Sequence, residues 1–153
     1  MRALLILLAT LGFAAAAPAA DAVTGRVVKV LPMLLDQQGR DSLSPSLFDR
    51  DAYQARLRER TNLVSGVRFD VLWKATKAPD EKIKIAVALR GIGTNSVPKL
   101  MTLETNVVPC RFRRWTEIPL TGAAYKNFGT VVAWRVTLWN GEQKLGEQKS
   151  FLW

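Results

Sequence analysis

The side chains with the most capacity for chemistry are arginines, and they gather in two places. Arg50, Arg56, Arg58 and Arg60 crowd one stretch, offset only in part by Asp49, Asp51 and Glu59. Arg111, Arg113 and Arg114 crowd another, with no acid nearer than Glu117. A guanidinium presents a planar fork of donors that matches carboxylate and phosphate oxygens, so clustered Arg points to anion recognition more strongly than scattered Lys does. If the two stretches meet in the fold, Arg56, Arg58, Arg60, Arg111, Arg113 and Arg114 form one cationic face for an anionic polymer or an acidic partner. If they lie apart, the charge is solvation.

Other chemistry is thinly supplied. The chain has no histidine, which removes His-based triads, His metal sites and the commonest general base. Its one cysteine, Cys110, excludes thiolate zinc sets and any intrachain disulfide. Cys110 is a thiol activated by Arg111 and Arg113, a link to a second chain, or a small buried hydrophobe. A carboxylate hydrolase needs two acids facing one bond. Asp70 alternates outward on its strand, and Glu104 and Glu117 sit among ordinary strand polar residues, so no pair is nominated. Asp36-x-x-Gly39-x-Asp41 has the outline of a calcium loop without its regular acid spacing or closing Glu. Gly91-Ile92-Gly93 opens like a phosphate loop, but Val97-Pro98 follows where a helix is needed. The sequence therefore assigns no catalytic residue, no metal ligand and no cofactor. Among the five tryptophans, Trp73 and Trp134 fall on apolar parities. Trp139 shares its parity with Arg135 and Thr137 and is the candidate exposed aromatic, able to stack on a sugar or a protein.

The elements that would position these groups are mostly strands. Val23–Leu35 reads as a first strand, with Pro32 implying an edge or a bulge because it cannot donate to a ladder. Asp36–Ser46 is a polar loop. Ser46–Arg60 is the one helical stretch: Asp49 or Asp51 caps it, Tyr53 and Leu57 make an apolar stripe beside Ala52 and Ala55, and arginines close it. Such a helix would cover a sheet edge or end. Val67–Lys74 and Ile83–Arg90 alternate with period two, turn at Ala78-Pro79-Asp80-Glu81, and are expected to pair as a hairpin. Lys99–Val108 and Arg111–Leu120 are further strands, and Thr121–Gly129 is a loop. Thr130–Trp153 reads as a closing hairpin turning at Asn140-Gly141 in a type I′ turn. Its last residues, Phe151-Leu152-Trp153, are expected in the core, so that deleting them costs several kcal/mol.

About seven strands with turn signals every eight to twelve residues imply a two-sheet antiparallel sandwich with one inserted helix near 47–60. The strand Val132–Trp139, with its Trp-Arg-Val core, and the closing Ser-Phe-Leu-Trp resemble the last two strands of a fibronectin type III-like or immunoglobulin-like module of exported bacterial proteins. That resemblance implies a fold and no activity.

The first residues imply export. Arg2, the apolar run Ala3–Ala17 and Ala17-Pro18-Ala19 have the form of a signal peptide cleaved after Ala19, leaving residues 20–153 as a single domain. No later run is apolar enough to span a bilayer. Of the 22 basic residues only Arg2 would be lost, so the remainder carries 21 basic residues against 13 acids, a net charge of +8. These features describe a periplasmic or secreted, non-catalytic binding or scaffolding module. Its partner would be an envelope protein or an anionic envelope polymer, with no dedicated nucleic-acid site and no transmembrane segment after cleavage. A carbohydrate-binding module using exposed Trp is the first alternative, and a carboxylate-based hydrolase the second.

Overall fold

A computed structural model describes residues 23–76, 82–93 and 96–153. It contains seven strands: β1 (Gly25–Asp36), β2 (Val64–Ala75), β3 (Ile83–Ile92), β4 (Pro98–Val107), β5 (Arg114–Thr121), β6 (Thr130–Asn140) and β7 (Gln143–Lys149). They form two antiparallel sheets, β1-β2-β5 and β4-β3-β6-β7. The expected sandwich is what the chain adopts. The residues expected to form a signal peptide and the turn expected at Ala78–Glu81 lie outside the described residues.

Alternation sets which side chains go in. Val67, Phe69, Val71 and Trp73 of β2 are buried, and so are Ile83, Ile85, Val87 and Leu89 of β3 and Val136 and Leu138 of β6. These rows face each other between the sheets and make one contiguous core. β2 and β3 do not pair as the hairpin expected from sequence. β2 lies between β1 and β5, and β3 between β4 and β6. Both strands bury one full apolar face, and a sandwich satisfies both by setting them across the core in different sheets. Just past β3, Gly93 N–H donates to the Val97 carbonyl at 2.9 Å; Thr94 and Asn95 of the glycine-containing stretch lie outside the described residues.

Helix α1 spans Leu47–Glu59 and is capped by Ser46, whose hydroxyl accepts from Asp49 N–H, rather than by Asp49 or Asp51. It covers the free edge of β1. Gln54, 2% exposed, accepts from Leu34 N–H at 2.9 Å and donates to the Leu34 carbonyl at 2.8 Å. A side-chain amide thus takes the place of a neighbouring strand, and the edge is closed to further pairing. Leu57 is fully buried, while Ala52 and Ala55 face solvent. Pro32 stands on this edge strand, where its missing donor costs no ladder bond.

The stretch expected as a loop after β5 contains a second, short helix, α2 (Gly122–Phe128). It carries the chain from one sheet to the other. Phe128 is 2% exposed and fills the space above Gly91, where an added Cβ would lie 2.5 Å from its ring.

The closing hairpin forms, but two of its details differ from expectation. Its turn residues are Gly141 and Glu142, and positive φ occurs at Gly141 alone, the pattern of a type II′ turn. The ladder ends at Lys149 opposite Arg135. Ser150 then caps β6, its N–H donating to the Trp134 carbonyl at 2.9 Å and its hydroxyl accepting from Trp134 N–H at 3.0 Å. The last residues are therefore not core: Phe151 is fully exposed and Leu152 is 64% exposed. Trp153 lies on the outer face of its sheet, with the Arg90 and Arg135 guanidiniums 4.3 and 4.7 Å from its ring centroid. Cation–π contact, not burial between sheets, holds the terminus.

Candidate functional site

The sandwich parts at one of its two ends, and the reason lies in where β1 and β7 touch. β7 lies against the first half of β1. Gly146 permits this: an added Cβ would sit 2.9 Å from the Arg26 Cα. Gln148 extends the contact by donating to the Val28 carbonyl at 3.3 Å. β7 then stops at Lys149, while β1 and the first residues of β6 run on without it. The sheets separate there.

The gap is a cleft of about 490 Å³. Val67 and Phe69 of one sheet and Val131 and Trp134 of the other make its walls, α2 contributes Tyr125, and α1 contributes Arg58. Val132, also in the lining, is 42% exposed, so apolar surface remains open to solvent there. Burial raises the Tyr125 pKa, and no acceptor for its hydroxyl is found among the described residues. Thr61 and Thr130 supply further hydroxyls. Arg58 is the only charged residue in the lining, and no carboxylate among the described residues pairs with it.

The other end is cationic. A cleft of about 390 Å³ is lined by Arg26, Lys74 and Arg111 with Thr24 and Thr76. Beside it runs the connection from β4 to β5. Cys110, half-buried and unpaired, fixes that connection by accepting from Ala75 N–H at 3.1 Å through its carbonyl. Val108, Phe112 and Trp115 are 72, 78 and 48% exposed, interleaved with exposed Arg111, Arg113 and Arg114.

The six arginines singled out from sequence therefore stay in two groups. Arg56, Arg58 and Arg60 belong to the end of α1, near Leu34 and Val67. Arg111, Arg113 and Arg114 belong to the opposite end of the same sheet, near Trp73 and Ala75. The strand from Val67 to Ala75 separates them by roughly 26 Å at ~3.3 Å per residue. They do not form one face. Trp139 is half-buried rather than exposed, lying between Lys84 and Lys144 across the ladder with its indole N–H donating to Thr137 at 2.8 Å.

Among the described residues, no carboxylate lines either cleft. The acids placed closest together, Asp36, Asp41, Asp70 and Glu117, are engaged in structure. Asp36 is 3% exposed; burial alone would raise its pKa, but hydrogen bonds from Arg40 N–H, the Tyr53 hydroxyl, the Arg40 guanidinium and Gln38 N–H outweigh this and hold it at about 2. The stretch with a calcium-loop outline is in fact this hydrogen-bonded turn. Arg68 gathers Asp70 at 2.7 Å, Asp41 at 3.4 Å and Glu117 at 3.6 Å on the outer face of its sheet. Among the described residues no group of three metal-ligating side chains occurs, and no helix is long and apolar enough to cross a membrane.

Sequence reasoning did not pick out Val108, Phe112 or Trp115, although the acid-free run Val-Pro-Cys-Arg-Phe-Arg-Arg-Trp carries the signal. It could not pick out Arg26 and Lys74, which join Arg111 only through strand pairing. Tyr125 and Trp134 meet Arg58 only because β7 is short. Comparison with known protein families, with characterised proteins and with solved structures finds no match to this chain.

Proposed function

We propose that this protein is an exported, non-catalytic binding or scaffolding module of the periplasm or cell surface, and that it meets its partner through the stretch from Val108 to Trp115. The partner is an envelope protein or an anionic envelope polymer. One observation carries the reading: exposed Val108, Phe112 and Trp115 alternate with exposed Arg111, Arg113 and Arg114 on a connection whose ends are held by the ladder. Exposed aromatic and Arg side chains together are what binding hot spots use. Fixing them on a rigid frame lowers the ordering cost of association. The signal-like N-terminus supports export, and the three-plus-four strand arrangement supports the fibronectin type III-like reading. That no carboxylate among the described residues lines either cleft weighs against a hydrolase. A carbohydrate-binding alternative would rest on Trp115 and Phe112 rather than Trp139.

The experiment is capture from envelope extract on the immobilised protein, beside a Phe112→Ser/Trp115→Ser variant. The reading expects a defined component retained by the first and lost by the second, with the melting temperature unchanged. Equal retention by both would remove this surface from the account.

A further inference from the structure

The cleft where β7 ends combines three properties that select a ligand class. Its walls are apolar on both sides, from Phe69 and Val67 in one sheet to Trp134 and Val131 in the other. Its volume, about 490 Å³, falls in the range of roughly 300–1,000 Å³ typical of small-molecule sites. Its single charge is the Arg58 guanidinium, which has no carboxylate partner among the described residues.

We infer that this cleft is a binding site for a small anionic amphiphile, a fatty carboxylate whose aliphatic chain enters between the sheets and whose head group meets Arg58. The chain would cover apolar surface that is now open to water, including Val132 at 42% exposure, and burying it is favourable in proportion to area. The carboxylate would pair with the exposed Arg58 guanidinium through the two-point fork that it offers. The hydroxyls of Tyr125, Thr61 and Thr130 share the same lining and can donate to the head group's remaining lone pairs. A neutral amphiphile would gain no ion pair with exposed Arg58, and a cationic one would be repelled. A free inorganic anion would meet one Arg and gain nothing from the apolar walls. This site does not depend on the Val108–Trp115 surface, so it stands or falls separately.

Isothermal titration calorimetry of the purified protein with dodecanoate, held below its micelle concentration, tests the assignment. One dodecanoate is expected to bind per chain. Dodecanol is expected to bind more weakly, and Arg58→Gln to weaken dodecanoate by at least about tenfold, the worth of a charge-assisted hydrogen bond. Val132→Trp, a substitution at a solvent-open position of the wall, is expected to block binding while leaving the melting temperature in place. Arg111→Gln, at the opposite end, is expected to leave dodecanoate affinity unchanged. Four outcomes overturn the inference: no heat of binding; equal affinity for dodecanoate and dodecanol; equal affinity in Arg58→Gln; or undiminished binding in Val132→Trp.

Discussion

The two ends of this sandwich are built from the same strands and could hardly differ more. Where β1 begins, β7 is pressed against it through Gly146, and the surface beyond is cationic and aromatic. Where β1 ends, β7 has stopped and the sheets part into an apolar cleft with a single Arg at its mouth. One strand's length decides which end is sealed. The sealed end can present side chains outward on a firm base, and the open end can admit something between the layers. The helix α1 belongs to the open end, where Gln54 replaces the strand that is missing beside β1.

The largest expected effect comes from breaking the sealed end. Gly146→Val would drive a side chain into the Arg26 backbone, where even a Cβ has only 2.9 Å. Denaturant unfolding should record a loss of about 3 kcal/mol, as overpacking against backbone does. A loss well under 1 kcal/mol would mean that β7 does not seal this end. Next comes the clamp at the open end. Gln54→Ala leaves the Leu34 N–H and carbonyl at a part-buried edge without partners, and should cost about 2 kcal/mol in the same measurement. If stability is unchanged, water satisfies that edge and the clamp is dispensable.

The turn between β1 and α1 gives a pH test. The Asp36 pKa is lowered on folding, from 3.8 to about 2. Its stabilisation is therefore fully present above the unfolded value and is lost as pH falls through the folded one, between 3.8 and about 2. Asp36→Asn should remove that step from a plot of melting temperature against pH. The same acid-limb step in wild type and variant would assign it to other carboxylates. The smallest effect is expected at the terminus. Deleting Phe151–Trp153 removes two exposed side chains and the two cation–π contacts of Trp153, so unfolding should shift by about 1 kcal/mol.

That last expectation reverses the one the sequence suggested, and the reversal is instructive. Phe-Leu-Trp at a terminus reads as core because hydrophobicity carries no record of where a ladder stops. Period-two alternation identified Ile83–Leu89 and Val67–Trp73 correctly, because burial of one face is a local property of a strand. It could not say that these two strands face each other across the core instead of pairing. α2 was hidden because seven residues between Thr121 and Gly129 are too few to display a helical period. The parity of Trp139 was legible, but its shelter between Lys84 and Lys144 depends on neighbouring strands. Both clefts were illegible for the same reason. The Arg58 site needs β7 to be shorter than its neighbours, and the Arg26–Lys74–Arg111 site needs β1, β2 and the β4–β5 connection to meet. The arginines themselves were visible; their division between two ends was not.

A salt series tests that division and the proposed contact surface together. Binding of the purified protein to the envelope component it captures should be measured from low to high ionic strength for the wild type and two triple variants. Arg111→Gln/Arg113→Gln/Arg114→Gln is expected to weaken binding strongly at low salt and to flatten its salt dependence. Arg56→Gln/Arg58→Gln/Arg60→Gln, about 26 Å of strand away, is expected to leave both the affinity and the slope close to wild type. Equal losses from the two triples, or a wild-type affinity indifferent to salt, would contradict the assignment of partner recognition to the sealed, cationic end.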